Sequence, residues 1–146
     1  MPTPRIQVVF DCADPARQAA FWCEALGYRI PAPPAGFDDW NAWARATGIP
    51  EAQWNDFRAI EDPAGSRPRI FLQKVPEGKT AKNRVHIDIR VAGEPPWDMP
   101  ARELLIREKV ADLVAIGGAV VREEHYDGYL GHVVMLDPEG NEFCVA

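Results

Sequence analysis

Residues 137–146 read Asp137-Pro138-Glu139-Gly140-Asn141-Glu142-Phe143-Cys144-Val145-Ala146, a tight turn followed by a short strand. The turn is predicted because Pro138 fixes φ and Gly140 supplies the backbone freedom that a hairpin connection needs. Side chains alternate along a strand, so Glu142, Cys144 and Ala146 share one face, and Phe143 and Val145 share the other. This pattern fits either a strand that lines a pocket or an edge strand with one wet face.

Similar patterns upstream predict the other elements. One helix begins with Asp14 as N-cap and Pro15 at the first helical position, and it ends at Gly27. A second helix is predicted over residues 100–116, with Ile106, Val110, Leu113 and Val114 on its apolar face. The predicted strands cover residues 6–12, 28–30, 69–75, 84–91, 119–124, 132–136 and 142–145, and the clearest alternation is that of 84–91.

The order of these elements is strand, helix, strands, and then the same again. A doubly wound parallel sheet would need more alternating helices. The prediction is therefore an α+β fold of two β-α-β-β-β modules that form a curled mixed sheet around a central pocket. We expect one domain over residues 1–146, with module one at about 5–76 and module two at about 83–146.

The composition excludes several classes of partner. The chain has 146 residues and a formal net charge of −6, with no basic run, which argues against nucleic acid and membrane surfaces as partners. No apolar run approaches the ~20 residues of a membrane span, and the N-terminal residues lack a signal-peptide apolar region. The three cysteines lack CxxC spacing and are expected to be free thiols. A cytoplasmic location is predicted.

A tryptophan-rich segment, residues 37–57, is the most distinctive local feature. Gly48-Ile49-Pro50 divides it into two predicted helical turns, the first of which carries Trp40 and Trp43. These rings suit an aromatic lid that stacks on a flat or apolar ligand. They equally suit a cap packed on the outside of a sheet, or a contact between two copies of the chain.

Taken together, these motifs resemble the vicinal oxygen chelate superfamily, the glyoxalase/bleomycin-resistance/dioxygenase group, and its glyoxalase-like subgroup in particular. The resemblance covers essentially the whole chain. It is carried by the order and spacing of residues 8–11 with Asp14-Pro15, residues 21–28, residues 83–89, Gly117-Gly118-Ala119 and residues 137–143.

The resemblance implies a pocket inside the curved sheet, where some members hold a divalent metal. The positions that correspond to the metal ligands are Gln7, Gln73, His86 and Cys144. This set lacks a carboxylate and is a poor site for a hard dication. No metal ligand and no cofactor are therefore assigned. A shifted site remains open, because Asp88 and Glu142 share strand parity with His86 and Cys144.

Among these residues, His86 and Asp88 form the most reactive pair. His86 could bind a metal, act as a general base or serve only as a hydrogen-bonding group, and Asp88 could orient its imidazole. Cys144 could be a nucleophile, but a thiol that merely lines the pocket is favoured, because no His or Lys is close in sequence. Residues predicted to contact a ligand are Gln7, Gln73, Glu142, Cys144, Trp40 and Trp43.

The functional hypothesis is a glyoxalase-like protein that binds a small organic molecule. If it is an enzyme, the resemblance implies lyase or isomerase chemistry next to a carbonyl, with His86 moving the proton and Asp88 orienting it. The alternative is a non-catalytic protein that sequesters a drug, like bleomycin-resistance proteins. A metal-dependent dioxygenase is a third hypothesis, which the missing carboxylate disfavours. A homodimer is expected, as is common in the superfamily.

Overall fold

The computed structural model describes residues 1–146 and divides them into two compact units, Met1–Gly78 and Lys79–Ala146. The elements of the first unit are β1 (Gln7–Cys12), α1 (Pro15–Leu26), α2 (Trp40–Ala46), β2 (Phe57–Ile60) and β3 (Arg69–Lys74). The elements of the second are β4 (Asp88–Ile89), α3 (Met99–Ala115), β5 (Ala119–Tyr126), β6 (Tyr129–Leu136) and β7 (Glu142–Val145).

The first unit is a three-stranded mixed sheet with α1 packed on one face. Its strand order is β1-β3-β2, with β1 parallel and β2 antiparallel to β3. The helix begins and ends as predicted, because the Asp14 carboxylate accepts a hydrogen bond from Arg17 N–H and Gly27 adopts a left-handed conformation with φ of 65°. Trp22 of α1 is almost fully buried, as are Ile60 and Leu72 of the sheet.

In this unit, one predicted strand is absent and the two predicted helical turns of the tryptophan-rich segment are present. The strand predicted over 28–30 is wrong, because only a single antiparallel bridge joins Arg29 to Glu61. The short segment is followed at once by the proline-rich residues 31–34, which cannot supply ladder donors. The tryptophan-rich segment does form two short helical pieces, α2 and a 3₁₀ turn at Glu51–Gln53.

The second unit is a four-stranded mixed sheet with α3 packed on it. Its order is β4-β7-β6-β5, with β4 parallel to β7 and the other pairs antiparallel. Strand β7 is therefore an interior strand, and the edge-strand alternative for residues 142–145 is wrong. Phe143 and Val145 of β7 are almost fully buried. On α3, Ile106 and Leu113 are buried as predicted.

Two corrections apply to this unit. Val114 was expected on the apolar face of α3, but it is 46% exposed. The strand predicted over 84–91 shrinks to the two residues of β4, although hydrogen bonds from Cys144 N–H to Ile87 and from Val91 N–H to Ala146 extend the ladder slightly. Part of the reason is the length of the partner. Strand β7 has four residues, and in the register that pairs Asp88 with Cys144 its first residue, Glu142, lies opposite His86, so residues 84 and 85 have no strand opposite them.

The second unit has the β-α-β-β-β order, and in the first the Arg29 bridge stands in the place of one strand. The predicted α+β class is confirmed, and the structure contains two mixed sheets. The order across the sheet is also the same. In the first unit it is β1, β3, β2 and then the Arg29 bridge, and these correspond to β4, β7, β6 and β5 of the second unit. No helix in the chain combines the length and the apolar character that crossing a membrane requires.

Candidate active site

Three of the predicted site residues come together in the second unit. Asp88 of β4 is paired in register with Cys144 of β7, and His86 lies two residues before Asp88. The nearest ring nitrogen of His86, Nδ1, is 3.5 Å from Asp88 Oδ1, and one side-chain ligand atom from each of the three residues lies within 4.8 Å of the others. We call His86, Asp88 and Cys144 the His-Asp-Cys cluster. Its imidazole and carboxylate are about half exposed, whereas Cys144 is buried.

The environment of Cys144 makes it a weak nucleophile. Burial raises the pKa of the Cys144 thiol, and the nearby Asp88 carboxylate raises it further through its charge and by accepting a hydrogen bond from the thiol. A thiol with a raised pKa stays protonated near neutral pH, and the thiolate is the reactive form. These surroundings favour the interpretation of Cys144 as a group that lines the site and hydrogen-bonds Asp88.

The Glu142 carboxylate is engaged in a tether within the second unit. Glu142 Oε2 accepts a hydrogen bond of 2.9 Å from the backbone N–H of Asn83, and the ammonium group of Lys79 lies 3.1 Å away. Glu142 thereby holds the segment 79–83, which leads into His86. The bond from Asn83 N–H and the Lys79 charge lower the pKa of Glu142 to about 2. Its predicted contact with a ligand remains a prediction.

This tether predicts a dependence of stability on pH. Glu142 has a lower pKa in the folded state than the ordinary value of 4.5, so its stabilising effect is present above pH ~4.5 and is lost as the pH falls toward 2. We expect Glu142→Gln to flatten the fall of the urea midpoint between pH 5 and pH 2.5, measured by circular dichroism. The exposed Glu77→Gln is the control and should keep the wild-type slope. An unchanged slope in Glu142→Gln would contradict the tether.

The two predicted site residues of the first unit lie on one face of its sheet but do not meet. Gln7 is opposite Arg69 and Gln73 is opposite Asp11, so the two glutamines are separated by four register positions, about 13 Å along the strands. Arg69 donates a hydrogen bond to the Gln7 side-chain oxygen. These two amides therefore cannot bind the same ion within this unit.

The same sheet face carries an exposed aromatic pair that sequence reasoning missed. The Phe57 and Phe71 rings stack with centroids 5.7 Å apart, and Phe57 is 56% exposed. A β-strand that buries alternate residues would be expected to present polar groups on its other face. The signal was available in the sequence, since Phe71 lies between the buried residues Ile70 and Leu72 of β3.

Trp40 and Trp43 form an edge-to-face pair on α2, with ring centroids 5.4 Å apart. Trp40 is 39% exposed, and its indole N–H donates a hydrogen bond of 2.7 Å to the Pro31 carbonyl. Ala44 is the only buried residue of α2. The first unit thus holds the indole pair in a defined orientation, and a role in ligand binding remains a prediction.

The chemistry of the donors in the His-Asp-Cys cluster limits which metals suit it. Magnesium and manganese prefer octahedral sites rich in oxygen, and non-haem iron oxygenases use two imidazoles with one carboxylate. One imidazole, one carboxylate and one thiol match neither set. Zinc accepts all three donor types, so His86, Asp88 and Cys144 fit zinc. The raised pKa of the thiol opposes this binding, because the ligand is the thiolate.

A buried arginine and a small cavity in the second unit also escaped the sequence analysis. Arg102 of α3 is only 7% exposed. Asp88, Arg90, Ala92, Gly93, Trp97, Arg102 and Ala146 line the cavity. A signal was available in the sequence, because Arg102 lies at helical spacing from Ile106 and Leu113 and so shares their face of the helix.

Comparison with known proteins places the chain in a family. The model of the glyoxalase-like domain matches residues 7–146. A comparison with curated protein sequences finds no match.

Solved structures share the fold at low sequence identity. A hypothetical protein from S. aureus is 17% identical with a TM-score of 0.62, over 99% of this chain and 94% of that one. A glyoxalase/bleomycin resistance protein/dioxygenase family enzyme from Burkholderia phytofirmans PsJN is 14% identical with a TM-score of 0.60, over 95% and 94%. A mutant of the fosfomycin resistance protein FosX from Listeria monocytogenes, complexed with Mn(II) and a dihydroxypropylphosphonic acid, is 11% identical with a TM-score of 0.61, over 99% and 90%.

These matches confirm the resemblance read from the motifs. The family model extends from the first residue of β1 to residue 146, and therefore includes both units with the His-Asp-Cys cluster. The chain belongs to the family of glyoxalase-like domains.

Proposed function

We propose that this protein binds a small carbonyl compound at the His-Asp-Cys cluster and moves a proton at the carbon next to the carbonyl. The observation that carries the proposal is the imidazole–carboxylate pair, with His86 Nδ1 3.5 Å from Asp88 Oδ1. A general base must be reachable by its substrate and held in a defined orientation. His86 is 42% exposed and has Asp88 beside it, which supports both requirements.

In this proposal the three residues have different roles. The imidazole of His86 takes the proton, since histidine titrates closest to neutral pH. Asp88 orients the ring through the Nδ1 side and stabilises the imidazolium that forms, which leaves Nε2 to face the substrate. The Cys144 thiol donates to Asp88 and fixes the position of that carboxylate. The reaction class is that of a lyase or isomerase.

Deuterium exchange tests this role without knowledge of the natural substrate. The probes are dihydroxyacetone, hydroxyacetone and pyruvate in D₂O, and the loss of their C–H signals is followed by proton NMR. We expect the wild-type protein to accelerate exchange of at least one probe. The variant His86→Gln should lose at least ~100-fold of that acceleration, the usual scale for a general base. The variant Asp88→Asn should lose about tenfold.

The chain offers a matched control for this experiment. His125 of β5 also lies 3.5 Å from a carboxylate, that of Glu123, and is similarly exposed. His125→Gln removes an equivalent imidazole–carboxylate pair away from the cluster and should leave the exchange rate unchanged. The proposal fails if no probe exchanges faster than in buffer, or if His86→Gln exchanges as fast as the wild type.

A second form of this proposal includes a zinc ion, which is the metal that the three donor groups of the cluster fit. His86, Asp88 and Cys144 would hold the ion, which when bound polarises a substrate oxygen as a Lewis acid. The same exchange assay distinguishes the two mechanisms. Exchange that survives dialysis against EDTA supports the metal-free base, whereas exchange that EDTA abolishes and ZnCl₂ restores supports zinc.

Sequestration of an aromatic drug is the second candidate function. The stacked Phe57 and Phe71 rings of the first unit favour it, because Phe57 is exposed and a flat ligand can add to such a pair. Quenching of tryptophan fluorescence by cationic drugs, with no exchange of any carbonyl probe, would support this function. We also propose a cytoplasmic location and a homodimeric state. Analytical ultracentrifugation of the purified protein tests the homodimer.

A further inference from the structure

The cavity of the second unit lies beside the His-Asp-Cys cluster, and Asp88 belongs to both. Its volume is about 110 Å³, well above the ~10–15 Å³ that a single water needs. Drug-sized ligands need ~300 Å³ or more. The cavity therefore suits a small group with only a few non-hydrogen atoms.

Arg102 gives this cavity a buried positive charge. Its Nη1 and Nη2 atoms donate hydrogen bonds of 3.0 and 2.6 Å to the carbonyls of Leu130 and Gly131, and its Nε has no hydrogen-bond partner. Arg102 forms no ion pair, and the Trp97 ring covers its guanidinium at 4.8 Å. A buried charge that meets only neutral carbonyls is costly, and an anion would relieve the cost.

Arg90 adds a second guanidinium that already holds a carboxylate. Its Nη1 and Nη2 atoms donate to the two oxygens of Glu94, at 3.1 and 3.3 Å. The Glu94 side chain is 80% exposed and is not part of the cavity lining. An exposed pair of this kind contributes little stability, so a ligand carboxylate can take the place of Glu94. Arginine is the side chain best suited to two-point binding of a carboxylate.

We propose that this cavity binds the carboxylate group of a small organic acid, between Arg90 and Arg102. Asp88 lies two residues before Arg90, about 7 Å along the strand, so the carbon chain of a short acid bound here would extend toward the His-Asp-Cys cluster, with its oxo group and the adjacent C–H group nearest to that cluster. The substrate class is then a small oxo acid. That last step rests on the proposed function, whereas binding of the carboxylate does not.

The test is an NMR titration of ¹⁵N-labelled full-length protein with acetate, pyruvate and the uncharged acetamide, at constant ionic strength. The Trp97 indole signal, assigned with Trp97→Phe, should shift saturably with acetate and pyruvate and not with acetamide. Arg90→Gln should weaken the binding of acetate about tenfold, the scale of a hydrogen bond to a charged group. Ala92→Leu should abolish binding by filling the cavity. The exposed Arg84→Gln removes the same charge elsewhere and should bind as the wild type does.

The outcomes separate this proposal from the proposed function. No saturable shift with acetate up to about 50 mM, an equal shift with acetamide, or unchanged affinity in Arg90→Gln would overturn it. His86→Gln should retain acetate binding and lose only proton exchange. Saturable acetate binding in a protein that exchanges no carbonyl probe would keep the carboxylate site and reject the proton-transfer function. Arg90 is used because Arg102→Gln also removes the bonds to Leu130 and Gly131.

Discussion

Replacing Asp62 by alanine is expected to lower the Tm by roughly 10 °C, as removal of one partner of a buried charge network does. The carboxylate is 5% exposed. It accepts hydrogen bonds from the N–H groups of Ala64, Ser66 and Arg67, from the Ser66 hydroxyl and from the Arg67 guanidinium. Alanine leaves these donors without an acceptor, and thermal unfolding followed by circular dichroism measures the loss.

The ionised form of Asp62 is the one that the loop requires. The Arg67 guanidinium, with help from Ser66 and the backbone N–H groups, holds the pKa of Asp62 well below its ordinary value of 3.8. The stabilising effect is therefore present above pH ~4 and declines as the pH falls below it. Glu61→Ala is the control, because its partner Arg29 is 60% exposed and such pairs contribute little. Equal losses at the two positions would contradict the network.

Trp22→Ala is expected to lower the free energy of unfolding by about 3–5 kcal/mol, the usual cost of deleting a large buried ring. Trp22 is 2% exposed in the core of the first unit. Its ring makes edge contacts with Phe10 and Phe21, with centroids 5.2 and 5.4 Å away. Alanine removes these contacts and leaves a cavity between α1 and the sheet. Urea unfolding measures the difference.

Trp40→Ala is the matched control and also tests the lid hypothesis. Trp40 is 39% exposed, so its loss should cost less than about 1 kcal/mol. If α2 is a lid, Trp40→Ala should weaken binding of a ligand while the protein keeps most of its stability. A loss of stability as large as that of Trp22→Ala would show that the indole pair belongs to the core, and would reject the lid.

Local signals predicted the elements whose chemistry is contained in a few residues. Asp14, Pro15 and Gly27 define both ends of α1 because capping and positive φ depend on the residue itself. The bounds of β7 were predicted correctly, since the turn formed by Asp137, Pro138 and Gly140 directly precedes it. The closeness of His86 and Asp88 followed from strand parity, and that of Cys144 from the resemblance.

Other features depend on partners that a sequence does not reveal. The alternation of residues 84–91 is real, but a ladder also needs a neighbour of equal length, and β7 lies opposite only the middle of this stretch. Arg102 is buried because the Leu130 and Gly131 carbonyls happen to accept from it, which no local pattern records. The carboxylate of Glu142 binds Lys79 and Asn83, which lie about 60 positions away along the chain, and strand parity alone does not reveal such partners.

The shared strand order of the two units has a consequence for where this protein can vary. In the second unit, the two residues Asp127 and Gly128 join β5 to β6. These strands correspond to the Arg29 bridge and to β2 of the first unit. In the first unit, the same connection holds the whole tryptophan-rich segment. Because lengthening a loop costs little entropy, this connection can accept a long insertion in the first unit while the strands on either side of it keep their pairing.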